Sequence, residues 1–310
     1  MDRVVGDATG ARAAAVGVED FVLRAALLAG YGREARALAA QVGELVATAP
    51  GRSCVEAGAP LQITIDAPGE AELRIGVRVA ADVTPTALGA LLPAGAAERL
   101  VESARALLPG AHADFGRWIF LTRRQQSMLV DLRDPRPADA LVRIRGALGP
   151  AQMEALEAQR GLLPEARPWA VEWESGGAAR VYWLLSRSGS AQSSVERMQP
   201  GAWAQVVAAL APLLQCPGKS GRWLIRAPLD GDPKKIGVGN SGWTLVPEDE
   251  RKHRGVGELL RVLDGPRDYG EAMWSLCRGL APPGWRVGRA LEVEPGESGT
   301  RVRLFLTPPV

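Results

Sequence analysis

Four segments of the chain repeat one order of side-chain types: Arg74-Ile75-Gly76-Val77, Arg180-Val181-Tyr182-Trp183, Lys235-Ile236-Gly237-Val238 and Arg301-Val302-Arg303-Leu304. Each opens on a cation and carries apolar residues at its second and fourth positions. In an extended strand successive side chains point to opposite faces. Ile75, Val77, Val181, Trp183, Ile236, Val238, Val302 and Leu304 therefore share a packing face, and Arg74, Arg180, Lys235 and Arg301 share the other. Cations repeated on one face of separate strands are the makings of an anion site, and a guanidinium fork matches phosphate oxygens. Arg78 and Arg303 continue the inward set. Glu172 and Glu292 alternate with Val171, Trp173, Leu291 and Val293, so two carboxylates fall on the cationic face. They can orient or deprotonate a bound group, or serve as salt-bridge partners for a neighbouring arginine. Gln62, Thr64 and Asp66 take the inward positions of the first hairpin. Arg226 and Arg123 lie where both strand faces are apolar, and solvated arginine is the expectation there.

Each cationic segment is the second arm of a hairpin. The hairpins are expected over Leu61 to Asp66 with Leu73 to Val79, Arg117 to Thr122 with Ser127 to Leu132, and Trp169 to Glu174 with Arg180 to Leu185. Two more follow over Arg222 to Ala227 with Lys235 to Asn240, and Arg289 to Glu294 with Arg301 to Thr307. Gly, Pro, Asp and Ser stand at the turns, as hairpins require. Apolar residues spaced by three and four place helices over about Val18 to Val46, Thr84 to Leu108, Ala138 to Leu162, Pro200 to Leu214 and Gly255 to Leu280. Echoes such as Gly116-Arg117-Trp118 and Gly221-Arg222-Trp223 support an internal repeat. The order is helix then hairpin, five times. About ten antiparallel strands tend to close. Closure at that number leaves a lumen that can be polar while helices cover the apolar outside. The expected fold is thus α+β: an antiparallel barrel of about ten strands in one domain over residues 1–310. Tandem ferredoxin-like domains, which would form two open sheets, are the alternative.

The bulk numbers exclude several classes. A net charge of +2 argues against a generic nucleic-acid or membrane-surface protein. No apolar run of about 18 residues is present, and the N-terminus lacks a signal-peptide pattern. Three scattered cysteines form neither a zinc motif nor a disulfide framework, and a reduced, cytoplasmic monomer is expected. Two histidines without a partner pattern give no metal site. An aspartate-rich metal motif, a P-loop, a dinucleotide fingerprint and a nucleophile elbow are all absent.

Five helix–hairpin units around an antiparallel barrel, with cation-x-Tyr strands, resemble the ABBA-type aromatic and peptide prenyltransferases over nearly the whole chain. The resemblance implies a prenyltransferase of secondary metabolism that moves a prenyl group from an allylic diphosphate to an electron-rich aromatic or peptide acceptor. Arg74, Arg180, Lys235 and Arg301 would bind diphosphate, Tyr182 would shield the carbocation, and Glu172 or Glu292 would orient or deprotonate the acceptor. No cofactor is required by the resemblance, although Mg²⁺ assists some members. The chain departs from the pattern. Gly76, Gly237 and Arg303 stand where the family usually has tyrosine, and Ser127 replaces the cation of the second hairpin. Lumenal glycines are expected to enlarge the cavity. A barrel that binds a ligand or peptide without catalysis is the alternative.

Overall fold

The computed structural model describes residues 19–27, 31–48, 61–67, 73–79, 83–88, 92, 95–107, 117–122, 125–132, 140–185, 188–214, 222–231, 235–241, 290–296 and 300–306. The strands are β1 (Leu61–Ala67), β2 (Leu73–Val79), β3 (Arg117–Leu121), β4 (Gln126–Asp131), β5 (Arg167–Glu174), β6 (Ala179–Leu185), β7 (Arg222–Pro228), β8 (Gly237–Ser241), β9 (Ala290–Glu294) and β10 (Arg301–Leu306). Each pairs antiparallel with its neighbours in sequence, and β1 pairs with β10 to close a ten-stranded barrel. All five expected hairpins are present. The tandem ferredoxin-like alternative is overturned, because two such domains would leave two open sheets rather than one ring.

Register decides which side chains enter the lumen, since residues directly across a strand pair lie on the same face. Val181 is registered against Val171 and Ala227, and Trp183 against Ile225. These face outward and are buried beneath the helices with Ile75, Val77, Ile119, Val238, Val293 and Val302. Each such valine or isoleucine side chain contributes about 1.5–3 kcal/mol on burial. Trp183 shows how the layers are pinned. Its indole Nε1 donates to Gln159 Oε1 at 2.9 Å, and Gln159 Nε2 donates to the Pro228 carbonyl at 2.6 Å.

The helical layer is more broken than its apolar periodicity predicts. The run over Val18 to Val46 divides into α1 (19–27) and α2 (Ala35–Thr48), with a 3-10 turn at Gly32–Glu34 between them. The next run divides into α3 (Pro85–Leu88) and α4 (Ala96–Leu107), and the third into α5 (Ala140–Ala147) and α6 (Pro150–Leu162). Pro150 opens α6, where a missing N–H is tolerated, instead of sitting inside one long helix that its ring would break. The fourth run begins at Ala202 as α8 (Ala202–Leu214), and an unexpected helix, α7 (Ser188–Met198), precedes it. Serine and glycine in SGSAQSS mask its helical pattern, yet Ala191 and Val195 are fully buried against the barrel. The expected helix over Gly255 to Leu280 lies outside the described residues, as does Arg123.

Candidate functional site

The hairpin ends of the barrel surround a cavity of about 410 Å³. Thr122 and Gln125 of one hairpin turn and Asp230 and Gly231 of another form part of its rim. Arg74 enters from β2, Arg180 from β6, Arg226 from β7, Lys235 from just before β8, and Arg301 and Arg303 from β10. Glu172 and Glu174 of β5, Glu294 of β9 and Asp230 supply the acidic groups. Six cations against four acids leave the wall with a positive surplus, so an anion is the favoured guest. All four sequence-predicted cations meet at this one cavity. Lys235 departs in detail: β8 begins at Gly237, and Lys235 sits exposed on the rim. Arg301 is exposed there too, and neither pairs with an acid among the described residues.

Glu172 is the most heavily bonded group of the site. Arg74 Nη2 forms an ion pair with its Oε1, Ser127 Oγ donates to the same oxygen at 2.5 Å, and Tyr182 Oη donates to Oε2 at 2.6 Å. Arg74 Nη2 also donates to Ser127 Oγ at 2.8 Å. Burial by itself raises the Glu172 pKa, but Arg74 and Arg180, with the hydrogen bonds from Ser127 and Tyr182, outweigh it and bring the group down to about 2. Burial and the adjacent Glu172 charge push the Tyr182 phenol above its ordinary range. Ser127, which stands where the pattern calls for a cation, thus serves as a neutral donor to the central carboxylate.

A second network crosses β8. Arg226 Nε donates to Glu292 Oε1 at 2.8 Å, its Nη2 to Glu294 Oε2 at 2.8 Å, and Arg303 Nη1 to Glu292 Oε1 at 3.1 Å. The expectation of a solvated Arg226 is therefore wrong. It is only 7% exposed, and it reaches β9 because β8 presents Gly237 and Gly239 on the lumenal side. Burial opposes its charge, but Glu292, with help from Glu294, holds the guanidinium above its usual range. Arg180 pairs with Glu174. Glu292 thus stands behind two arginines rather than on the open cavity wall, as the salt-bridge reading of the sequence anticipated.

The lumenal glycines do not enlarge the cavity, contrary to expectation. A Cβ on Gly237 would lie 2.6 Å from Glu292 Oε1, and one on Gly76 would lie 2.4 Å from Phe120 Cε1. Neighbouring strands have filled both spaces. Phe120 packs over Gly76, and Arg74 Cζ sits 3.9 Å from its ring centroid. An apolar layer of Trp118, Phe120, Leu129, Trp169, Ala170 and Leu184, with Tyr182 and Leu224 against it, occupies part of the lumen. Arg78 is buried on this same face, registered against Trp118. Sequence pattern missed Phe120 and Trp118 because Arg117–Leu121 is apolar on both faces. Glu174 was within reach, since it alternates with Glu172.

No family model matches the chain, and no curated protein does. Solved structures do resemble it. PriB, crystallised as a binary complex with product diphosphate, is 16% identical with a TM-score of 0.72, covering 94% of this chain and 95% of its own. A 6-dimethylallyl tryptophan synthase is 17% identical with a TM-score of 0.67, covering 94% and 97% respectively. AnaPT from Neosartorya fischeri is 12% identical with a TM-score of 0.66, covering 93% and 91%. The chain has the fold of these proteins, the ABBA-type prenyltransferase barrel. No helix among the described residues is long and apolar enough to cross a membrane, and these residues hold no cluster of three or more His, Cys, Asp or Glu suited to a metal ion.

Proposed function

We propose that the chain is a prenyltransferase of secondary metabolism that takes its prenyl group from an allylic diphosphate and delivers it to an electron-rich aromatic or peptide acceptor. The observation that carries this reading is the meeting of Arg74, Arg180, Lys235 and Arg301, from four separate hairpins, at one cavity in this barrel. The diphosphate product held by the similar PriB supports it.

Lys235 and Arg301, which have no described acid partner, receive the donor first, and Arg180 and Arg303 close on it. The bond between C1 and oxygen breaks heterolytically, and its electron pair departs on pyrophosphate, where preorganised cations stabilise the new charge. Tyr182 borders the allylic cation. The acceptor's electron pair forms the new bond and its proton is released. Glu172, held near 2, is a poor match for proton abstraction at neutral pH; it orients. Pyrophosphate, freshly released beside the acceptor, is the stronger base. Glu292, set behind the cavity wall, supports Arg226 and Arg303 and acts on the acceptor only through them. The arginines and Lys235 neutralise the diphosphate, and no step is routed through a metal. Mg²⁺ enters only as an optional companion of the donor.

One observation favours a second reading, a barrel that binds without turnover. Glu172, Glu174, Glu292 and Glu294 already pair with lumenal arginines, which dilutes the positive field. Incubation with dimethylallyl diphosphate and a panel of indoles, phenols and peptides separates the two. Acceptor-dependent pyrophosphate release and a prenylated product support transfer. Tight diphosphate binding with no release supports the binding barrel, and failure to bind diphosphate overturns the transfer reading.

A further inference from the structure

Phe120 is placed as ordinary core residues are not. Its side chain is buried, at 5% exposure, yet it lines the charged cavity. Its ring lies so close over Gly76 that no side chain could stand at that position. Trp118 stacks with it, centroids 6.2 Å apart and planes inclined by 15°. The Arg74 guanidinium lies over the ring, with Cζ 3.9 Å from its centroid. The ring thus turns a face to a cation at a polar wall. A ring face is electron-rich, and it attracts cations most strongly where water is excluded.

Arg74 is therefore held by three attractions at once: the ring, the Ser127 hydroxyl and the Glu172 carboxylate. Glu172 keeps two other donors, Ser127 and Tyr182, if Arg74 leaves it. Arg74 lines the same cavity as Arg180, Lys235 and Arg301, so a diphosphate held there offers it a more highly charged anion than Glu172. The ring face is then uncovered at the moment an allylic group arrives.

We infer that Phe120 is a catalytic residue whose ring face holds the allylic cation, and that Arg74 occupies this face until the donor's diphosphate draws it away. This rests on the prenyl-transfer reading. The electron pair of the broken carbon–oxygen bond leaves on pyrophosphate, and the cation waits on Phe120. It is quenched by the acceptor's electron pair, with loss of the acceptor's proton. If the face is lost, water quenches the cation instead and gives prenyl alcohol and a proton.

The test uses the full chain with Phe120→Leu, Phe120→Tyr and pentafluorophenylalanine incorporated at position 120. The last keeps the ring's shape and reverses its charge distribution. Calorimetry measures affinity for inorganic pyrophosphate alone, and for tetramethylammonium with and without pyrophosphate. Turnover of dimethylallyl diphosphate reads the ratio of prenyl alcohol to transferred prenyl group. Native protein binds tetramethylammonium at least tenfold more tightly, on the order expected for a desolvated ring face, once pyrophosphate is present. Phe120→Leu and the pentafluoro protein keep pyrophosphate affinity within about twofold, lose the tetramethylammonium gain, and shift products toward prenyl alcohol about tenfold. Phe120→Tyr behaves as native. The inference is overturned if native protein gains no tetramethylammonium affinity with pyrophosphate, or if the pentafluoro protein matches native. Should native protein show the gain but release no pyrophosphate from the donor, the transfer reading fails while the cation seat on Phe120 stands.

Discussion

The Tyr182 hydroxyl donates to Glu172 Oε2 at 2.6 Å, across the register that joins β5 to β6. The bond ties two groups whose protonation is locked in opposite senses. Burial and the Glu172 charge hold the phenol protonated above its ordinary range, and the surrounding donors hold Glu172 ionised with a pKa of about 2. Neither changes state near neutral pH. Glu172 therefore contributes no limb to a pH–rate profile recorded between pH 5 and 9. Glu172→Gln lowers kcat/KM by about 10–100-fold, the value of hydrogen bonds to a charged group, without changing the profile's shape. A limb near pH 5 that disappears in Glu172→Gln would show that this carboxylate works as a base.

The same depressed pKa predicts how stability responds to acid. A carboxylate with an ordinary value of 4.5 that falls to about 2 in the folded protein binds protons more readily when unfolded. Its stabilisation is fully present above pH 4.5 and is lost as pH falls toward 2. The shift corresponds to about 3 kcal/mol. Urea unfolding of native protein is expected to lose about this much between pH 5 and pH 2 through Glu172, and Glu172→Gln is expected to lose correspondingly less. Equal slopes for the two proteins would show that Glu172 is not depressed.

The order of strands was legible because cation, apolar and turn residues recur at fixed offsets in four of the five hairpins. Trp183 and Glu172 were placed correctly on opposite faces by alternation alone. Alternation failed where a strand carries apolar residues on both faces, as at Trp118 and Phe120, and where a neighbour's glycine opens a path, as for Arg226 across Gly237. Both depend on which strand lies beside which, and that information is not local. Four of the five expected helical runs were legible as apolar periodicity, while α7 was not and the breaks at Gly32 and Pro150 were blurred by the continuing periodicity. The sites of the four cations were readable; their partners were not, because pairing is decided across the lumen.

Rim and buried cations should answer differently to removal. Lys235 and Arg301 are exposed and pair with no described acid, so Lys235→Met and Arg301→Met leave no buried charge behind. Each is expected to weaken pyrophosphate binding by about 10-fold, the loss of one charge-assisted contact, with melting unchanged. Arg226→Met instead strands Glu292, only 4% exposed. Breaking a buried pair from one side costs about 3–5 kcal/mol, and Arg303 offsets part of it through its own contact with Glu292. Isothermal calorimetry and thermal melting on the three variants check the division. Unchanged melting in Arg226→Met would mean that the network across β8 does not support the barrel.

Gly237 carries the last prediction. Arg226 and Glu292 meet above it, on either side of a strand that offers no side chain there. A methyl group at this position would lie 2.6 Å from Glu292 Oε1, 2.7 Å from its carboxyl carbon and 3.1 Å from Arg226 Nε. Those atoms are the bonded ends of a buried pair, so they cannot yield without lengthening the Arg226–Glu292 contact. Gly237→Ala is therefore expected to destabilise by about 1–3 kcal/mol, as overpacking does, even though alanine suits a strand better than glycine. Pairing the change with Glu292→Gly removes the crowding atoms, so the double variant should cost less than the sum of the two single ones. Urea unfolding of the four proteins measures this coupling, and strictly additive losses would show that the carboxylate does not occupy the space over Gly237.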